Sequence, residues 1–163
     1  MFKHILCPVD FSEASEHAIR YAIALARVHR ADITALHVCP PPLVTPVLPA
    51  GSGSNAVDDA RLLGTQVAAL FEDATTRGLR VDVVVTRGQP ARDILMQAAE
   101  WPADVVVMGT HGAGGFEHLV LGSVAEKVIR KAGCAVLTVP PHANRTSTLP
   151  FRQVLCADND NIR

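Results

Sequence analysis

Five short apolar runs, spaced by longer segments of helical period, limit what this chain can fold into. The runs cover residues 4–9, 33–38, 79–86, 104–108 and 135–139. Between the first two, Ala14, Ala18, Ala22, Leu25 and Ala26 recur at helical spacing behind Ser12. Glu13 and Glu16 fall in the first turn, where the helix dipole favours negative charge, so a helix is predicted to about Arg30. A second helix is expected from about Val57 to Arg77 through Leu62, Val67, Leu70 and Ala74, stopped by Gly78. Pro90 opens a third, at a position where its missing N–H costs nothing. Residues 123–132 form a fourth, with Ser123-x-x-Glu126 as a capping box and Gly133 at the end. Strand and helix in alternation argue for an α/β fold, a parallel sheet with helices on both faces. The run Val105-Val106-Val107 suits a strand covered on both sides.

Composition narrows the function classes. A chain of 163 residues with 48% hydrophobic and 19% charged residues is a globular domain, not a disordered segment. The formal net charge of −1 gives no basic field for nucleic acid or an anionic membrane surface, and neither partner is expected. The N-terminal residues lack the long apolar region of a signal peptide, and no apolar run approaches a membrane span, so a soluble cytoplasmic protein is expected. The four cysteines, Cys7, Cys39, Cys134 and Cys156, form no CxxC pair and read as reduced thiols in or near the core. Seven histidines show no HExxH or HxH pattern, and no protein-only metal site is predicted.

In open sheets of this class, ligands sit beyond the carboxyl ends of the strands, where the strand order reverses. Two polar segments fall there: Asp10-Phe11-Ser12 after the first strand, and residues 109–123 after the fourth. The latter reads GTHGAGGFEHLVLGS, a loop far longer than the usual 2–6 residues of such connections. Its glycines let backbone amides approach an anion, and Ser123 heads a helix whose amides attract phosphate. Other phosphate loops fail on spacing: no GxxxxGK[ST] is present, and Glu117 breaks GxGxxG. Glu117 and His118, in mid-loop, are expected to be exposed rather than chemical.

Gly109-x-x-Gly112, then nine residues, then Gly122-Ser123 resembles the ATP-binding signature of universal stress proteins. The opening residues 5–12 (ILCPVDFS), Ala35-Leu36-His37-Val38, and Gly88-x-Pro90 are similar to other parts of that family's pattern, over about residues 2–140. The resemblance implies a five-stranded sheet in order 3-2-1-4-5, of the adenine nucleotide alpha hydrolase-like kind. It also implies a regulatory, stress-response protein that binds ATP (or ADP or AMP), with Mg or Mn held through the phosphates, and pairs as a homodimer through strand 135–139. Carried over by position, Pro8, Val9, Asp10 and Val38 would line the adenine and its ribose neighbourhood. Met108, Gly109, His111 and Gly112 would hold the ribose and inner phosphates; Gly122, Ser123 and Val124 would meet the outer phosphates. Asp10 also reads as a helix-capping carboxylate, and His111 as a solvent-facing loop residue.

No Ser–His–Asp order or cluster of carboxylates points to catalysis, and no catalytic residue is assigned. A receiver domain would need paired acids after the first strand and a lysine after the fifth; an adenylating enzyme would need Ser-Gly-Gly after the first. A slow ATPase or nucleotidyl-transfer enzyme, or a scaffold with an empty pocket, remain as alternatives to a nucleotide-binding regulator. Residues 151–158 (FRQVLCAD) repeat the opening residues 2–10 in type. Residues 1–142 therefore read as the domain, and 143–163 as a linker and the partial first strand of a second repeat.

Overall fold

The computed structural model of the chain describes residues 1–41, 56–112 and 121–141. The elements run β1 (His4–Pro8), α1 (Glu13–His29), β2 (Asp32–Cys39), α2 (Ala56–Leu70), α3 (Glu72–Thr76), β3 (Val81–Arg87), α4 (Pro90–Glu100), β4 (Val105–Gly109), α5 (Ser123–Lys131) and β5 (Ala135–Val139). All strand pairs are parallel, and the sheet order is β3-β2-β1-β4-β5, as the resemblance implied. The expected second-repeat segment, Glu117, His118 and most of the loop at 40–54 lie outside the described residues.

Strand side chains alternate between two cores. Ile5, Cys7, Ile33, Ala35, Val105 and Val107 pack under Ala18, Ala22 and Ala26 of α1, Val67 of α2 and Phe71. Leu6, Leu36, Val38, Val106 and Met108 pack on the other face under Ile94 of α4 and Ala125 and Val128 of α5. Helices therefore cover both faces, and the small residues of α1 let it lie close to the sheet. Cys7, Cys39 and Cys134 are free thiols, and burial pushes the Cys7 thiol up to about 12.

The pairing of β1 opens the site. With β2, β1 stays in register from His4↔Asp32 to Pro8↔Leu36, but with β4 only Ile5↔Val105 and Leu6↔Val106 pair. Beyond Leu6, then, β1 and β4 leave a crevice at the point where strand order reverses.

Several boundaries differ from the sequence expectation. The helix expected over 57–77 breaks at Phe71, whose N–H bonds the Ala68 carbonyl at 3.0 Å in a tight turn before α3. Val67, Phe71 and Ala74 stay buried across the break, so the apolar period runs on while the hydrogen-bonding pattern does not. The expected capping box at Ser123 does not form. Gly122 is the N-cap, no side chain caps it, and Ser123 is the first helical residue. Gly133 does not end α5 in a left-handed turn; Ala132 does so in an extended conformation. Asp104 is not a strand residue: its carboxylate accepts the amides of Lys3 (2.5 Å) and His4 (2.9 Å) and so ties β1 to β4.

Candidate functional site

A cavity of about 430 Å³ fills the crevice. Its floor is apolar: Leu36 and Val38 of β2, Met108 of β4 and Ile94 of α4. The rest of its lining comes largely from the ends of β1 and β4 and the start of α5. All eleven residues singled out from the sequence line it. Pro8, Val9 and Asp10 come from the end of β1 and Val38 from β2. Met108, Gly109, His111 and Gly112 come from the end of β4, and Gly122, Ser123 and Val124 from the start of α5.

The turn after β1 is built by local bonds. Val9 N–H donates to the Leu36 carbonyl at 2.8 Å, one residue past the paired strand. Asp10 Oδ1 accepts from the Ser12 amide (3.0 Å) and the Ser12 hydroxyl (2.6 Å), an Asx turn. Ser12 is the N-cap of α1, its Oγ accepting from the Ser15 amide at 3.2 Å. Asp10 therefore does not cap the helix itself; it fixes the serine that does. Ser12 Oγ also lies 3.3 Å from the His111 carbonyl oxygen, so the turns after β1 and β4 meet across the crevice.

On the β4 side, backbone beside Gly109 and the Asp10 carboxylate beside Gly112 leave little room for a side chain. A Cβ on Gly109 would stand 2.9 Å from the Ala14 backbone and Cβ; one on Gly112 would stand 2.6 Å from Asp10 Oδ2. At Gly122 the constraint is also contact. Its φ is −73°, not positive, but a Cβ would lie 3.0 Å from the Thr110 carbonyl oxygen.

Thr110, buried, is a residue the sequence reading missed. Its N–H donates to the Val139 carbonyl (2.9 Å) and its carbonyl accepts from Gly122 N–H (2.7 Å), which anchors the start of α5 to the ends of β4 and β5. Its hydroxyl shares a hydrogen bond of 3.0 Å with His111 Nδ1. His111 is half-buried rather than solvent-facing, and it lines the cavity. Ser15, Pro90 and Ile94 were also missed. The signal available for Ser15 was its place three residues after the cap, one turn into the helix.

Chemically, the cavity offers an apolar slot beside helix-start amides. Among the described residues no lysine or arginine lines it, and Asp10 is its one carboxylate. No group of three or more His, Cys, Asp or Glu among the described residues could hold a metal ion. No described helix is long and apolar enough to cross a membrane.

Comparison with known proteins agrees with this architecture. A universal stress protein of Methanocaldococcus jannaschii, MJ0531, is 34% identical over 143 residues, covering 85% of this chain and 82% of that protein. The solved structure of MJ0577, from the same organism, superposes with a TM-score of 0.72 at 25% identity, covering 88% of this chain and 99% of that one. Two further structures share the fold. A universal stress protein in complex with cAMP has a TM-score of 0.64 at 19% identity, covering 86% of this chain and 98% of that one. The Archaeoglobus fulgidus protein in complex with dAMP has 0.59 at 22%, covering 85% and 98%. The model described as the universal stress protein family matches residues 1–140, and the chain belongs to that family.

Proposed function

We propose that this chain is a nucleotide-binding regulatory protein of stress responses, with ATP or a close adenine relative as its ligand and at most slow hydrolysis. The observation that carries the reading is one cavity with two chemistries. The floor of Leu36, Val38, Ile94 and Met108 suits a nucleobase. The start of α5, which no side chain caps, lies at the same cavity and suits phosphate through the Ser123 and Val124 amides. The cAMP and dAMP complexes of the two fold neighbours support an adenine base as the ligand class. In this reading Pro8, Val9, Asp10 and Val38 meet the base and ribose; Met108, Gly109, His111 and Gly112 hold the ribose and inner phosphates. Gly122, Ser123 and Val124 meet the outer phosphates.

A divalent ion, Mg or Mn, would enter on those phosphates rather than in a protein cage. Asp10 Oδ1 is engaged by Ser12, and no second carboxylate lines the cavity among the described residues, which favours binding over catalysis. Turnover above about 1 s⁻¹ would contradict this and favour an enzyme. The same proposal includes a cytoplasmic protein, a homodimer through β5, and residues 143–163 as the start of a second repeat.

The test is the nucleotide that survives purification. Wild-type protein is expected to release an adenine nucleotide on denaturation, identified by mass spectrometry. Gly122→Val is expected to release none while keeping its helical circular dichroism, because the branched side chain would press on the Thr110 carbonyl at the cavity edge. Equal nucleotide in a folded Gly122→Val would overturn the assignment of this cavity, and a folded wild type that also binds no added nucleotide would favour the empty scaffold.

A further inference from the structure

The ladder between β1 and β2 ends at Pro8↔Leu36, and the next carbonyl, that of Val9, has no strand partner there. A side chain takes over. His37 Nδ1 lies 2.7 Å from the Val9 carbonyl oxygen, and since a carbonyl only accepts, Nδ1 carries the proton and donates. His37 follows Leu36 and precedes Val38, both of which line the cavity, but it is not itself a lining residue. On a strand its ring points to the opposite face from theirs.

The same ring holds the next turn. The Phe11 ring packs against that of His37 with centroids 5.0 Å apart and planes tilted by 55°. Phe11 adopts φ 63°, a left-handed conformation that a phenylalanine rarely takes and that neighbouring contacts must hold in place. Asp10, with its carboxylate at the cavity, sits between the two residues the imidazole holds: Val9 by a hydrogen bond and Phe11 by its ring.

We infer that His37 is a positioning residue for ligand binding: from behind the sheet, it fixes the turn Val9-Asp10-Phe11 and so sets where Asp10 presents its carboxylate. This rests on the adenine-nucleotide reading above, and it adds a residue that never touches the ligand. Because Val9 and Asp10 belong to the nucleoside end of the cavity, the effect is common to mono- and triphosphate ligands.

The experiment uses the full chain, stripped of nucleotide, with AMP and MgATP as probes in calorimetry. His37→Phe keeps an aromatic ring against Phe11 but removes the donor; His37→Asn restores an N–H close to the place of Nδ1. His37→Phe is expected to weaken AMP and ATP by the same factor, about tenfold, the scale of one lost hydrogen bond. His37→Asn is expected to recover most of that loss, although it lacks the ring, and thermal melting without ligand shows that both variants are folded. A folded His37→Phe that binds both nucleotides as tightly as wild type overturns the inference. So does an Asn variant that binds no better than the Phe variant, or a loss confined to ATP. If His37→Phe does not fold, His37→Asn against wild type decides: affinity within about threefold supports the donor role, and a tenfold loss overturns it. A wild type that binds neither probe overturns the nucleotide reading and this inference with it, whereas binding by wild type with an unaffected His37→Phe overturns this inference alone.

Discussion

Asp104 carries a single carboxylate to a place where two backbone amides need an acceptor. Hydrogen bonds from Lys3 and then His4, with the nearby positive charge of His4 and the N-terminus, hold its carboxyl below the usual carboxylate range. A group whose pKa is depressed in the folded state contributes stability above its unfolded value of about 3.9, and loses it as pH falls through the lower folded value. Thermal melting from pH 7 down to pH 2 is therefore expected to show a steeper acid loss in wild type than in Asp104→Asn, and identical acid slopes would contradict the role. The residue scale is also where the sequence was most and least legible. The paired glycines and Asp10 drew attention to the two loops by residue type, and the family resemblance supplied the other predicted positions, all of which line the cavity. Thr110 and His37 stayed hidden, since their work is done by backbone bonds and a ring on the far face, neither of which leaves a spacing pattern. Gly122 was legible as a glycine, but the close contact its Cβ would make with the Thr110 carbonyl was not, since that contact comes from the fold.

At the scale of elements, the strands were legible because buried parallel strands are short, apolar and bounded by turn residues. Helix ends were less so. The break at Phe71 was invisible because Val67, Phe71 and Ala74 keep the apolar period through it. Likewise Ser123-x-x-Glu126 has the composition of a capping box, yet Gly122 takes the cap, with its N–H drawn to Thr110. β5 carries the element-scale prediction. Among the described residues it pairs with β4 alone and so forms an edge of the sheet, and Ala-Val-Leu-Thr-Val has strong strand character with no charge to discourage pairing. Two-fold pairing of this edge with its own copy satisfies the open backbone row and closes the assembly. Light scattering at micromolar concentration is expected to give about twice the 17.4 kDa chain mass. Val136→Pro, which removes a backbone donor, or Leu137→Asp, which adds charge, is expected to return the mass to that of one chain. A wild type that stays monomeric over that range would contradict this interface.

At the scale of the described molecule, the ends of β1 and β4 and the start of α5 meet at one cavity beside the apolar side chains of Leu36, Val38, Ile94 and Met108. The order β3-β2-β1-β4-β5 makes β1 and β4 neighbours whose chains depart to opposite faces, β1 into α1 and β4 toward α5. A crevice at that junction follows from the topology, and the residues that fill it follow from the sequence of the two strand ends. The cavity is lined from β1, β2, β4, α4 and α5, so a ligand that binds only the folded chain adds to the stability of the domain. The central claim, that this cavity is an adenine-nucleotide site, is tested most directly by calorimetric titration of the stripped wild-type chain with MgATP. The account predicts saturable binding with one nucleotide per chain. A folded protein that takes up no MgATP at concentrations up to about 1 mM, the scale of very weak affinity, would contradict it.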